Sequence, residues 1–262
     1  MPVDLSVDMI KATVQLEQGL GEGNRTVGTG FLLNVPTADG HPRTILVTAG
    51  HVLNRMPRPE ARIGYRFATT GGGWRYDPQP LTIRTRDGAP KWVQHPDRDI
   101  AAIEITAPEE FTRAAIPLSW LAGDDTFNRS HLGPGDEMMA LGFPLGLAAN
   151  KAGFPILRAG KVASYPLAPS GEFPTFLLDF NVFPGNSGGP IYVTKNGENF
   201  IAGMLTQQVE LTGERLDIGI VTHARYIRET IDMLDGHAPP PAQYAETNTP
   251  GAVAASMLGE NR

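Results

Sequence analysis

The chain has 262 residues, 41% of them hydrophobic, with no cysteine and a formal charge of −6 at pH 7. Absence of cysteine excludes disulfides, thiolate metal sites and a cysteine nucleophile, and a mildly acidic balance argues against a dedicated nucleic-acid binder. No run of about 18 apolar residues is present, so no membrane-spanning helix is expected. The 30 Gly and 23 Pro lie above average usage but below the composition of disordered chains. The length suits one large domain or two small ones closely packed.

Residues 1–18 carry Asp4, Asp8 and Glu17. They lack the basic start and apolar stretch of a secretory signal, which makes a cytoplasmic protein the expectation. Residues 12–16 alternate in polarity, and Gly19, Gly21, Gly23 and Asn24 then mark a turn. Residues 27–33 and 44–48 read as the next two strands. Residues 54–73 read as loop around a short strand, followed by alternation at 81–84 and a β-type segment at 100–105. The irregular stretch 106–134 reads as a crossover between two halves. Further strand-like segments follow at 137–142, 160–164, 176–180, 190–193 and 200–205. Many short strands with frequent turns indicate a sandwich or barrel. Near the end, Ile227, Ile231 and Leu234 form an apolar stripe at helical spacing over 224–235. Thr222 is the expected N-cap and Gly236 the expected stop. Residues 237–262, with Pro239-Pro240-Pro241, read as a mostly disordered tail.

Three motifs carry chemistry. Thr48-Ala49-Gly50-His51 ends an apolar strand, Asp97-Arg98-Asp99-Ile100-Ala101 enters another, and Pro184-Gly185-Asn186-Ser187-Gly188-Gly189-Pro190 forms a glycine-rich turn. A serine hydroxyl is a poor nucleophile at neutral pH and needs an adjacent base. An imidazole can take that proton and return it to a leaving amine. A carboxylate on the far ring nitrogen fixes the tautomer and stabilises the imidazolium. The charge that develops on the attacked carbonyl oxygen needs two N–H groups already aimed at it. Gly185 and Ser187 can supply them, in a turn shared with Asn186.

Together these motifs resemble those of the trypsin/chymotrypsin-like serine peptidases, and most nearly the HtrA/DegP-like trypsin-like peptidase domain. The resemblance runs from about Lys11 to Asp235. It takes in Gly28-Thr29-Gly30-Phe31, Gly135-Asp136-Glu137 and Gly142-Phe143-Pro144-Leu145-Gly146. It implies an all-β fold of two six-stranded antiparallel β-barrels with a closing C-terminal helix and a site in the cleft between them. The corresponding division is 1–118 with His51 and Asp99, a linker at 119–134, 135–236 with Ser187, and the tail. By motif, His51 is the general base, Asp99 orients it and Ser187 attacks, with Asp97 as the alternative acid. The implied activity is that of a serine endopeptidase acting on a protein or peptide, without cofactor or metal.

Two departures bear on control and specificity. Secreted digestive members carry Asp directly before the serine, which pairs with a newly cut N-terminus, whereas this chain has Asn186. That ion pair is therefore unavailable, and control by loop ordering or a regulatory protein partner is the expectation. No PDZ domain is expected after the helix. The family often sets its preference six positions before the serine, where this chain has the uncharged Asn181. Asn181, Val182 and Phe183, faced by Met204, Leu205 and Thr206, are the expected specificity wall, with Asp179 or Asp217 as possible entrants. An uncharged residue of modest size is expected before the cut.

Two rival readings are weaker. Gly185-Asn186-Ser187-Gly188-Gly189 also satisfies the elbow pattern of α/β-hydrolases, with Asp217 and His223 or His237 as partners. That fold needs a helix after the serine, and residues 190–193 read as strand. A catalytically silent binding module on the same fold is the other alternative. The spacing of Gly19, Gly21 and Gly23 lacks the helix that phosphate binding requires. His41, His95, His131, His223 and His237 show no metal-ligand spacing and read as surface or capping residues. Arg55, Arg58, Arg62, Arg66 and Arg75 read as a solvated face.

Overall fold

The structure is a computed structural model that describes residues 5–238 except 38, 196, 212 and 213, and no side chain within 208–215. The first half runs α1 (Leu5–Ala12), β1 (Thr13–Gly21), β2 (Asn24–Pro36), β3 (Pro42–Thr48), α2 (Gly50–Asn54), β4 (Glu60–Ala68), β5 (Trp74–Thr82), β6 (Val93–Gln94) and β7 (Ala101–Ile105). The connection holds α3 (Glu109–Ala114), β8 (Ile116–Pro117) and α4 (Asp124–Arg129). The second half comprises β9 (Glu137–Gly142), β10 (Ile156–Val162), β11 (Thr175–Asp179), β12 (Pro190–Lys195), β13 (Glu198–Leu211), β14 (Glu214–His223) and α5 (Ala224–Leu234).

The second half closes as a six-stranded antiparallel barrel in the order β10-β11-β14-β13-β12-β9. The first half is a sheet in the order β5-β4-β1-β2-β3-β7-β6, with β8 added parallel to β2. The mostly β fold with its C-terminal helix is the one expected from the sequence. Phe31, Leu32 and Leu33 of β2 are all fully buried. Both faces of that strand are therefore covered, which explains its continuous apolar run where a half-buried strand would alternate. The core of the first half extends to Leu141, Tyr192, Ile201 and Met204, so it reaches across to the barrel. Helix α5 packs on β6, β7 and β13 and thereby touches both halves. It buries Tyr226, Ile227 and Ile231, each contributing about 1.5–3 kcal/mol of apolar burial.

Several local readings are corrected. Residues 54–73 hold the full strand β4 and the end of α2, because Ile63, Tyr65 and Ala61 face the core. Arg66 lies in β4 and is buried, so the arginines of this region are not one solvated face. The N-terminal helix α1 was not foreseen, and the crossover contains two short helices. Thr222 is the penultimate residue of β14, and the N-cap of α5 is His223, whose side chain makes no capping bond. Gly236, at φ +80°, follows the helix as expected. Residues 239–262 of the expected tail lie outside the described residues.

His95 and His223 are buried, where surface or capping roles were expected, and His223 holds the N-cap position of α5 without a side-chain capping bond. His223 lies against Phe127 and Phe176, at ring-centroid distances of 4.8 and 5.0 Å. Burial lowers its pKa from the ordinary 6.5 to about 4; Asp124 opposes this and Arg225 reinforces it. The unfolded chain therefore takes up the proton first. Stability is full above about pH 6.5 and falls as pH drops through about 4, by up to about 3 kcal/mol. Urea unfolding of His223→Leu at pH 7 and pH 4.5 is expected to show a smaller pH difference than the parent chain. An unchanged difference would assign the acid sensitivity to other groups.

Candidate active site

Strand pairing brings the first two motifs together. Thr48 at the end of β3 pairs with Ala101 at the start of β7. The chain leaving β3 and the chain entering β7 are thus neighbours, and the Gly50 N–H donates to the Asp99 carbonyl at 3.3 Å. His51 sits in the first turn of α2. Its backbone N–H donates to Asp99 Oδ1 at 2.8 Å, and its Nδ1 lies 2.5 Å from Asp99 Oδ2. One carboxylate thus holds both the main chain and the ring of His51. Both side chains retain some exposure, 28% and 21%. Asp97, the alternative acid, is exposed, and its N–H donates to His95 Nδ1 at 3.1 Å.

The third motif is a turn tied on every side. Asn186 N–H donates to the Phe183 carbonyl at 3.0 Å, and Gly188 N–H to that of Leu205 at 2.8 Å. The Thr29 N–H donates to the Ser187 carbonyl at 3.0 Å. Thr29 Oγ1 donates to the Gly185 carbonyl at 2.6 Å and accepts from Phe143 N–H at 3.1 Å. The Leu145 N–H donates to the Pro184 carbonyl at 2.6 Å. Gly185 and Gly188 have φ of +97° and +90°. A Cβ on them would lie 2.3 Å from the Phe143 oxygen and 2.0 Å from the Thr29 oxygen. Only glycine meets both demands, positive φ and direct backbone approach.

Among the described residues, neither Gly185 N–H nor Ser187 N–H donates to a protein acceptor. The Asn186 N–H, between them, is spent on Phe183. The unspent pair is what an anionic oxygen needs. Ser187, His51 and Asp99 line one groove of about 510 Å³, together with Val182, Phe183 and Thr206. No hydrogen bond joins Ser187 to His51 among the described residues. Such contacts commonly tighten only in a substrate complex.

The specificity wall is partly rearranged. Strand β11 ends at Asp179, so alternation does not extend through Asn181 and Phe183. Val182, Phe183 and Thr206 line the groove, whereas Asn181, Met204 and Leu205 do not. Met204 and Leu205 are buried in the core. The Asn181 carbonyl accepts from the Arg158 guanidinium, which lies over the rings of Phe180 and Phe183 at 5.2 and 5.6 Å. Phe180, Leu205 and Val182 all crowd Gly219 below this region. Asp179 and Asp217 are exposed and lie outside the groove lining. Asn186 is buried, and its Nδ2 has no protein partner among the described residues. Four lining residues were not anticipated: Asn54 and Gln94, hydrogen-bonded to each other at 3.0 Å, Arg55, which was read as part of a solvated face, and Gln207. The role of Thr29 was also missed, and its only sequence signal is its place between Gly28 and Gly30. No group of three or more His, Asp or Glu suited to a metal occurs among the described residues.

Residues 28–202 match the trypsin-like peptidase domain family. No curated protein sequence matches the chain. Among solved structures, the serine endoprotease from Yersinia pestis superposes with a TM-score of 0.53 at 17% identity, covering 90% of this chain and 69% of that one. At that identity the likeness concerns the fold.

The two-point His51–Asp99 contact has its own signature. A short Nδ1–H to carboxylate contact is expected to give a far-downfield proton resonance. Asp99→Asn should abolish it and Asp97→Asn should leave it in place. The opposite pattern would transfer the orienting role to Asp97.

Proposed function

We propose that this chain, which belongs to the trypsin-like peptidase domain family, is a serine endopeptidase acting on protein or peptide substrates. The observation that carries this reading is the Asp99 carboxylate gripping the His51 main-chain N–H and ring Nδ1 beside a groove that also holds Ser187. Asp99 keeps the Nδ1–H tautomer, which leaves Nε2 as the base. His51 Nε2 takes the Ser187 hydroxyl proton as Oγ bonds to the scissile carbonyl carbon. The carbonyl oxygen becomes an anion that Gly185 N–H and Ser187 N–H receive. Collapse breaks the C–N bond, and the imidazolium gives its proton to the leaving amine. Water then attacks the acyl-enzyme with His51 again as base, releasing the acid and restoring Ser187.

The groove wall supports an uncharged residue of modest size before the cut. Val182, Phe183 and Thr206 bring no charge to it, the Arg55 cation in the lining disfavours Arg or Lys, and Phe180, Leu205 and Val182 crowd Gly219. Asn186 in place of an acid fits an enzyme made without zymogen cleavage.

The missing Ser187–His51 hydrogen bond favours a second reading, a module that becomes competent only when a partner orders the turn. A fluorophosphonate probe separates the two. The endopeptidase reading expects labelling of the purified chain at its full intact mass, lost in Ser187→Ala and reduced by about 10⁴-fold or more in His51→Ala. Absence of labelling in the parent chain would favour the partner-dependent module. A peptide-library profile is expected to show uncharged residues before the cut. Dominance of Arg or Lys there would overturn the specificity assignment.

A further inference from the structure

A second pocket, of about 330 Å³, shares no residue with the groove of His51. It is lined by Asp8 and Lys11 of α1, Arg66 of β4, Trp74 of β5, four residues of α3 from Glu110 to Ala114, and Phe154 between β9 and β10. At its base lies Arg66, only 3% exposed. The guanidinium donates to the carbonyls of Ile10, Lys11, Thr13 and Gly153 at 3.2, 2.8, 2.7 and 3.3 Å. It also lies over the rings of Phe111 and Phe154, at 5.6 and 5.3 Å. All four of these acceptors are neutral main-chain carbonyls, and no carboxylate pairs with Arg66 among the described residues. Burial pushes its pKa down to about 10.

A buried cation without a counter-charge is costly, and carbonyl dipoles and ring faces offset only part of that cost. An entering carboxylate would complete the pair. The acids in the lining are less favourable to it. Asp8 is half-buried and Glu110 exposed, and exposed charges are screened by solvent. Lys11 and Arg113 add positive charge at the mouth. The aromatic walls call for an apolar body, and the volume suits a molecule of about ten non-hydrogen atoms.

One wall also reaches the candidate active site. Gly153 and Phe154 are held by Arg66 and, edge-to-face at 5.0 Å, by Trp74. The same connection between β9 and β10 contains Leu145, whose N–H holds the Pro184 carbonyl beside the unspent Gly185 N–H. Gly146 accepts from Gln15, which in turn accepts from Tyr76 of β5, at 3.0 Å in each case.

We propose that this pocket is an effector site for a small carboxylic acid with an aromatic or branched apolar body, seated between Arg66 and the rings of Trp74, Phe111 and Phe154. Its occupancy firms residues 143–155 and through them the turn of Ser187. The consequence for catalysis rests on the endopeptidase reading; binding and ordering do not.

The test uses the full chain with 4-phenylbutyrate as probe. Tryptophan fluorescence is expected to change saturably, and Trp74→Phe to remove most of the change. 4-Phenylbutanol should bind at least about tenfold more weakly, since it lacks the charge. Ala114→Phe, which fills the pocket, and Lys11→Glu with Arg113→Glu, which reverse its mouth, should each weaken binding without touching Arg66. Amide hydrogen exchange should slow at 143–155 and 183–188 on binding. No saturable binding, equal affinity for the alcohol, or preference for 4-phenylbutylamine would overturn the site. A tripeptide with a free C-terminal phenylalanine that binds where the small acid does not would overturn the small-acid assignment. Binding without slower exchange at 183–188 would overturn the coupling. These readouts hold whether or not the chain reacts with a fluorophosphonate.

Discussion

Thr29 is the residue through which the two halves are indexed to each other. It sits on β2, fully buried, and every polar atom it owns is spent. Its N–H and hydroxyl reach across to the carbonyls of Ser187 and Gly185, its hydroxyl oxygen receives Phe143 N–H, and its carbonyl receives the Thr48 hydroxyl at 2.7 Å. Thr48 is three residues before His51. One short side chain therefore sets the serine turn against the strand that delivers the imidazole. In a water-poor junction each orphaned partner costs about 1–3 kcal/mol, so the arrangement is sharply defined. It also consumes the carbonyls of the turn while leaving the N–H groups of Gly185 and Ser187 free.

Glycine is the second half of that constraint. Gly188 lies against the carbonyl of Thr29 itself, and Gly185 against that of Phe143. Side chains there would push the two halves apart. The residues of Gly-Asn-Ser-Gly-Gly are thus explained by backbone proximity across the cleft as much as by the chemistry of the serine.

Charge is handled in a consistent way away from the cleft. Arg66 and Arg158 both cap main-chain carbonyls and lie over pairs of phenylalanine rings. Carbonyls and ring faces supply part of what a carboxylate partner would otherwise give. Asn186 keeps the position before the serine neutral. The part-buried pair of His95 and Glu229, at 3.2 Å, fastens the segment leading to Asp99 onto α5.

Most of the longer strands, the C-terminal helix and the three motifs were legible in the sequence, because short-range polarity patterns and residue chemistry are local properties; β14 and most of β5 were not. Residue type alone pointed the proposed chemistry to an alcohol, an imidazole and an acid. Asp99 over Asp97 was legible only as a preference, since both precede the same strand. The β3–β7 register brings Asp99, and not Asp97, against His51 by placing the end of one strand beside the start of the other. Burial of Arg66, His95 and His223 was illegible, because a polar side chain on a strand or cap reads as exposed until a distant element covers it. The wall around Phe183 was likewise misdrawn, because β11 ends before the alternation could carry through. Pairing partners, pocket walls and the spending of each N–H are decided by contacts between residues far apart along the chain, and only the tertiary structure brings them together.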